Sequence, residues 1–140
     1  MALQVDRVDT WAASIEDRPG AAGEKLSALA DAGINLEFVI ARRTPERKGE
    51  GVMFVTPIKG AAQARAARKA GFQKTRSLHT VRIEGPDKKG RGAEITQALA
   101  EKGINLRGLS AAAIGRKFVA HVALDESKDA TRVVRLLRKL

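Results

Sequence analysis

The sequence contains no cysteine and no tyrosine, and tryptophan occurs once, at Trp11. Without thiols there is no disulfide framework, no thiolate nucleophile and no thiolate metal site, so a reducing, cytoplasmic compartment is the default expectation. Aromatic residues make up 4% of the 140 residues, few for the two or three stacking side chains with which sheet-based RNA readers hold bases. No apolar run approaches the roughly 18 residues needed to span a bilayer. The amino terminus, MALQVDRVD, lacks the basic-then-apolar pattern of a secretion signal, so no membrane partner is expected. There is no P-loop, no H-E-x-x-H, and no Ser or carboxylate at a recognisable spacing from His79 or His121. These absences argue against an enzyme, a cofactor or a metal site.

What is present is the balance of a soluble globular protein, 44% hydrophobic and 30% charged. The net charge of +10 is unevenly placed: residues 1–72 hold 11 basic and 9 acidic side chains, whereas residues 73–140 hold 15 and 7. Such a field attracts polyanions. It keeps a nucleic-acid-binding module open as a second reading, although the strands expected at 105–114 and 118–124 offer Phe118 alone as a stacking platform.

Shifting the sequence by 70 places GAAGEKLSALADAGINL (20–36) over GRGAEITQALAEKGINL (90–106), with nine of 17 positions identical. A period of half the chain means two copies of one supersecondary unit. In the first copy, Val5 to Glu16 alternates and reads as one strand. From Pro19 the apolar positions Ala22, Leu26, Leu29 and Ala30 mark one helix face, ended by Gly33. Residues 35–43 and 52–58 read as a hairpin across the charged turn TPERKGEG. An Ala-rich helix over 60–70 and a short strand over 72–77 complete the order βαββαβ. The second copy repeats it, with a strand at 79–84, a helix at 90–102, a hairpin at 105–124 and a helix at 128–140. That last helix carries an apolar stripe of Ala130, Val133, Val134, Leu137 and Leu140 beside Arg132, Arg135, Arg138 and Lys139. No final strand follows it, so the sheet edge beside the second copy's first strand needs a cover from another segment or another chain.

The stretch DRPG (17–20) sits where strand becomes helix. The first turn of a helix leaves N–H groups unpaired and carries partial positive charge, so Gly20, Ala21 and Ala22 could grip a carboxylate. Acceptors for an amino group could come from Asp17 or Asn105. The same four residues also make a plain turn, with Pro19 fixing φ and Gly20 easing close packing. Asn35 and Asn105 read equally well as turn residues after Gly, and Arg18 as a solvated charge. His121, sharing a face with Val119 and Ala123, reads as a strand histidine, and Trp11 as a core residue.

The run of strand, D-R-P-G, helix, A-L-A-D-A-G-I-N-L and strand resembles the ACT domain, the small regulatory module of amino-acid metabolism. The resemblance extends to both copies. The second departs from it in GPDKKGRG (85–92), which reads as two residues longer than its counterpart and has Lys89 in the place of Pro19. The resemblance implies two tandem ferredoxin-like βαββαβ sandwiches of α+β class, residues 1–77 and 78–140, the second lacking its final strand. It also implies units paired through their second strands, with an amino-acid effector in the seam. Carried over, Asp17, Arg18, Pro19, Gly20 and Ala21 would face Asn105 and Leu106, and Lys88, Lys89, Gly90 and Arg91 would face Asn35 and Leu36, within one chain or between chains. The implied role is a non-catalytic regulatory or sensor protein. It would bind a small molecule, an amino acid, and act as a homodimer with a regulated protein partner. A purely structural dimerisation or docking element is the remaining alternative.

Overall fold

The computed structural model describes residues 3–140. In chain order the elements are β1 (Gln4–Val8), β2 (Trp11–Glu16), α1 (Ala21–Asp31), β3 (Phe38–Arg43), β4 (Glu50–Thr56), α2 (Gly60–Lys69), β5 (Gln73–Lys74), β6 (His79–Pro86), α3 (Arg91–Glu101), β7 (Gly108–Ile114), β8 (Lys117–Leu124) and α4 (Ser127–Leu137). They build two four-stranded antiparallel sheets, β3-β4-β2-β5 and β7-β8-β6-β1. The chain divides into two compact units, residues 9–75 and residues 3–8 with 76–140.

The 9–75 unit runs β2-α1-β3-β4-α2-β5, the βαββαβ order that the repeat predicts. In the second unit β7-β8-β6 repeats β3-β4-β2, and β1 stands where β5 stands in the first. Among the described residues no strand follows α4. The open edge of the second copy is covered by the opposite end of the chain, in register from Gln4 opposite Glu84 to Val8 opposite Thr80.

This corrects two expectations. Val5 to Glu16 is not one strand, and the leading residues of the expected 1–77 domain pack with the second repeat. The alternating run breaks at Asp9–Thr10, where Thr56 Oγ1 donates to the Asp9 carbonyl at 2.8 Å and the Thr75 N–H and hydroxyl donate to the Thr10 carbonyl at 2.9 and 3.0 Å. Beyond that break Leu3 and Val5 are 5% and 2% exposed, inside the core formed with Val81, Ile83, Leu99 and Val133. Each such side chain contributes roughly 1.5–3 kcal/mol on burial.

Trp11, Leu29, Met53, Val55 and Phe72 centre the core of the 9–75 unit, and the Arg68 guanidinium lies 5.5 Å from the Trp11 ring centroid. The two first helices end alike. Gly33 and Gly103 adopt φ of 77° and 69°, and their N–H groups donate to Ala30 O and Ala100 O, while Ile34 and Ile104 donate to Leu29 O and Leu99 O. This is the Schellman arrangement, closed by the buried Ile-on-Leu contact. In α4 the expected stripe is buried at Ala130, Val133 and Leu137, with Val134 and Leu140 packed against it.

One pair of positions is exchanged between the units. In the first, Ile15 of β2 lies opposite Gly51 of β4; in the second, Gly85 of β6 lies opposite Phe118 of β8. A Cβ on Gly51 would stand 2.7 Å from the Arg42 carbonyl oxygen and 3.2 Å from Ile15. One on Gly85 would stand 2.7 Å from Leu3 and 3.1 Å from Phe118. Large and small residues have swapped strands at one place in the core, which close packing permits.

Candidate ligand-binding site

Both strand-to-helix loops close with the same turn. The Ala21 N–H donates to Arg18 O at 3.3 Å, with Gly20 at φ 89° and ψ −15°. The Arg91 N–H donates to Lys88 O at 3.1 Å, with Gly90 at φ 82° and ψ 2°. A positive φ at the third position defines a type II turn, and Pro19 supplies the favoured second residue. The turn after β6 is therefore no longer than its counterpart: Gly85 and Pro86 end β6 as Ile15 and Glu16 end β2, 70 positions earlier, so GPDKKGRG holds no extra residues. Each helix begins just after the turn, so Pro19 precedes α1 and does not lie in its first turn.

This geometry relocates the expected carboxylate donors. The Ala21 N–H closes the turn, and the Gly20 carbonyl accepts the first helical bond from Glu24 at 3.0 Å. No side chain caps α1 or α3, so the groups open to an outside acceptor are the N–H of Ala22 and Gly23 and, in the second unit, of Gly92 and Ala93. Of the expected donors Gly20, Ala21 and Ala22, the turn uses Ala21, Ala22 stays open, and Gly23 joins it because the helix starts after the proline.

The side chains around the two turns differ. Arg18 is clamped between Glu16 and Glu24, with Nη2 to Glu24 Oε2 at 2.6 Å. These bonds, that to Glu24 first, hold the guanidinium well above its ordinary pKa, and Arg18 holds the Glu24 carboxyl below its own. Asp17, expected to accept from an amino group, takes Arg43 Nε at 2.9 Å. In the second unit Glu94 receives Arg91 Nη1 at 3.1 Å, with Lys88 Nζ at 3.6 Å. Arg91 is only 11% exposed and its Nε has no hydrogen-bond partner, whereas Lys89 is exposed.

Each turn opens on a groove between the helix start and the edge strand of its own sheet. The first measures about 160 Å³ and is lined by Ile15, Asp17, Arg18, Ala22, Arg42 and Arg43 among others. The second, about 280 Å³, is more apolar, with Arg91, Ile95, Leu109, Ala112 and Phe118 in its lining. Phe118 is 8% exposed, so the one aromatic considered for base stacking is part of the core.

Asn35 and Leu36 do not meet the loop of their own unit. They precede β3 at the end where Phe38 pairs with Thr56, whereas the Asp17 N–H bonds Gly49 O at the opposite end of the sheet. Asn105 and Leu106 stand likewise at the Ala123 end of β7, away from Asp87 and its bond to Arg116 O. Both asparagines are exposed, and both leucines pack against the cores. Sequence reasoning passed over Arg43 and the paired Glu24 and Glu94, although the two glutamates were visible as an identity between the copies.

Among the described residues no three His, Asp or Glu side chains converge as metal ligands, and no helix is long and apolar enough to cross a membrane. The model of the ACT domain matches residues 13–70 and again 79–140. No curated protein matches the sequence. Among solved structures, protein BT0572 from Bacteroides thetaiotaomicron is similar at 16% identity and TM-score 0.77, over 94% of this chain and 88% of that one. The ligand-free regulatory subunit of aspartate kinase from Thermus thermophilus is similar at 19% identity and TM-score 0.61, over 98% and 97%. E. coli aspartokinase III in complex with lysine and aspartate is similar at 18% and TM-score 0.56, over 99% of this chain and 32% of that protein. At these identities the likeness is one of fold.

Proposed function

The chain belongs to the ACT domain family, and from that premise we propose that it is a non-catalytic regulatory or sensor protein whose ligand is a small molecule, an amino acid. The ligand is held where the loop of one unit meets the edge strand of another. The observation that carries this reading is the division of each unit into two half-sites. Uncapped helix N–H groups open on a groove at one end of the sheet, while an exposed asparagine precedes the edge strand at the other.

A single unit cannot bring its own halves together, because β3 and β7 are extended strands that separate them by their full length. Antiparallel pairing of β3 with β7 would join them. The loop of Asp17, Arg18, Pro19, Gly20 and Ala21 would then meet Asn105 and Leu106, and the loop of Lys88, Lys89, Gly90 and Arg91 would meet Asn35 and Leu36. Val39, Ile40, Leu109 and Ile114, the large hydrophobics exposed on these two strands, support a pairing role, since a long apolar edge is otherwise a hazard. The pairing forms within one chain or across a homodimer. A carboxylate would take the Ala22 and Gly23 amides, or those of Gly92 and Ala93, and the asparagine carbonyl would accept from the amino group. The ligand acts on a regulated protein partner, in the cytoplasm, by favouring one packing of the units through its differential affinity for the two arrangements. The lysine and aspartate in the aspartokinase III complex support an amino acid as the class.

Thermal unfolding of the full-length protein with each amino acid in turn tests the reading. One amino acid at about 100 times its dissociation constant is expected to add about 2.7 kcal/mol, a rise of several degrees in Tm, independent of salt. The gain should shrink in Asn35→Ala and Asn105→Ala, whose exposed side chains leave the fold intact. Stabilisation by RNA alone, vanishing at high salt, would replace this reading with a nucleic-acid one.

A further inference from the structure

Away from both loops, the 3–8/76–140 unit carries another concavity. Lys102, just past the end of α3, and Arg132, Arg135 and Lys139 on the α4 side surround a groove of about 240 Å³ completed by Ile104 and Leu136. No carboxylate lines it. Arg132 is fixed in place, with Nη2 donating to the Lys102 carbonyl at 2.7 Å and Nη1 to Asp129 at 3.1 Å. Lys102, Arg135 and Lys139 are exposed.

Ordinary helix chemistry explains only part of this charge. The carboxyl ends of α3 and α4 each carry about half a negative charge, so together with Asp129 they balance about two of the four cations. The fold itself does not require the remainder, because the position of Lys102 is occupied in the first repeat by Ala32. A cleft lined by one sign of charge focuses its field and concentrates counter-ions.

We propose that this groove binds a phosphate-bearing anion, with one phosphate group seated among these cations. A carboxylate brings one charge. A phosphate brings about two with three acceptor oxygens, which matches the surplus and the fork geometry of Arg135, while Arg132, held by Asp129 and the Lys102 carbonyl, adds its charge. Phosphate groups occur in free phosphate and polyphosphate or, as diesters of single charge separated by sugars, along a nucleic-acid backbone. The aromatic residue of this unit, Phe118, is buried and gives a base nothing to stack on, so the free anion is the source that the surface favours.

The test is titration of the full-length protein with tripolyphosphate, followed by amide NMR at low and high salt. Saturable shifts are expected at residues 102–104 and 132–139. The Arg135→Ala/Lys139→Ala double variant should weaken binding by roughly tenfold or more with an unchanged melting curve, and Arg42→Ala/Arg43→Ala should not alter it. A short single-stranded RNA serves as the second arm. Failing to displace tripolyphosphate from these amides, it identifies the free anion as the source; displacing it, the RNA shows that the groove takes a nucleic-acid backbone. Shifts scattered equally over Arg42, Arg43 and Lys88, or an affinity unchanged in the Arg135/Lys139 variant, would overturn the proposal.

Discussion

The turns entering α1 and α3 share one backbone and differ in the three side chains around their glycine: Arg18, Pro19 and Ala21 in the first, Lys88, Lys89 and Arg91 in the second. The hydrogen bonds from residues 21 and 91 to residues 18 and 88 agree within 0.2 Å, at 3.3 and 3.1 Å. Glycine at positive φ and the strand-to-helix geometry therefore specify the turn, and proline is an addition to it. The side chains then give the two sites different characters. Arg18 and Asp17 spend their charges on Glu16, Glu24 and Arg43, beside the smaller and less apolar of the two grooves. Arg91 lies along a wider apolar one floored by Phe118, where the first unit has Gly51.

The comparison breaks most visibly at β1. Val5→Asp places a charge at a site 2% exposed, and on the order of 4 kcal/mol should be lost from the unit of residues 3–8 and 76–140. Trp11 belongs to the other unit, so far-UV circular dichroism should show an early transition that Trp11 fluorescence does not follow. Coincident, equally lowered transitions would return residues 3–8 to the first repeat.

The Ile15/Gly51 and Gly85/Phe118 exchange gives the next largest effect. Gly51→Ala meets a backbone oxygen and Gly85→Ala meets side-chain atoms. Each should cost about 1–3 kcal/mol in urea unfolding, but only the second should be relieved by adding Leu3→Ala. Equal relief would show that the two cores are not complementary in this way.

Exchanging the turn residues sharpens the comparison at a smaller scale. Pro19→Ala should destabilise by about 0.4–1 kcal/mol, chiefly by freeing the unfolded chain, and Lys89→Pro should stabilise by a similar amount. A loss in Lys89→Pro would mean that the two backbones differ at this residue. The smallest effect belongs to Glu24. Its carboxyl pKa lies below the ordinary value because Arg18 bonds the charged form. The stabilisation it brings is present above the unfolded-state pKa and is lost as pH falls through the folded one. NMR titration should place its midpoint below that of an ordinary glutamate and return it towards that value in Arg18→Met.

The repeat, the helix faces, the glycine stops and the βαββαβ order were legible because they rest on local signals of period 70, 3.6 and 2. The exchange of β1 was not, because no Gly or Pro marks the break at Asp9–Thr10. The partner of β1 lies some 75 residues downstream in the ladder from Gln4–Glu84 to Val8–Thr80. The open edge it fills was legible all the same, as a strand missing after α4. At the candidate site the glycines and the turn were readable, while which amides stay open, the Arg18 clamp and the mostly buried setting of Arg91 depend on where each helix starts and on which neighbours reach it.

The most direct test of the account is an amide NMR map of the protein titrated with the twenty amino acids. It predicts that one of them shifts Ala22 and Gly23 together with Asn105, or Gly92 and Ala93 together with Asn35. If none of the twenty perturbs either set at saturating concentration, ligand binding at these turns is contradicted.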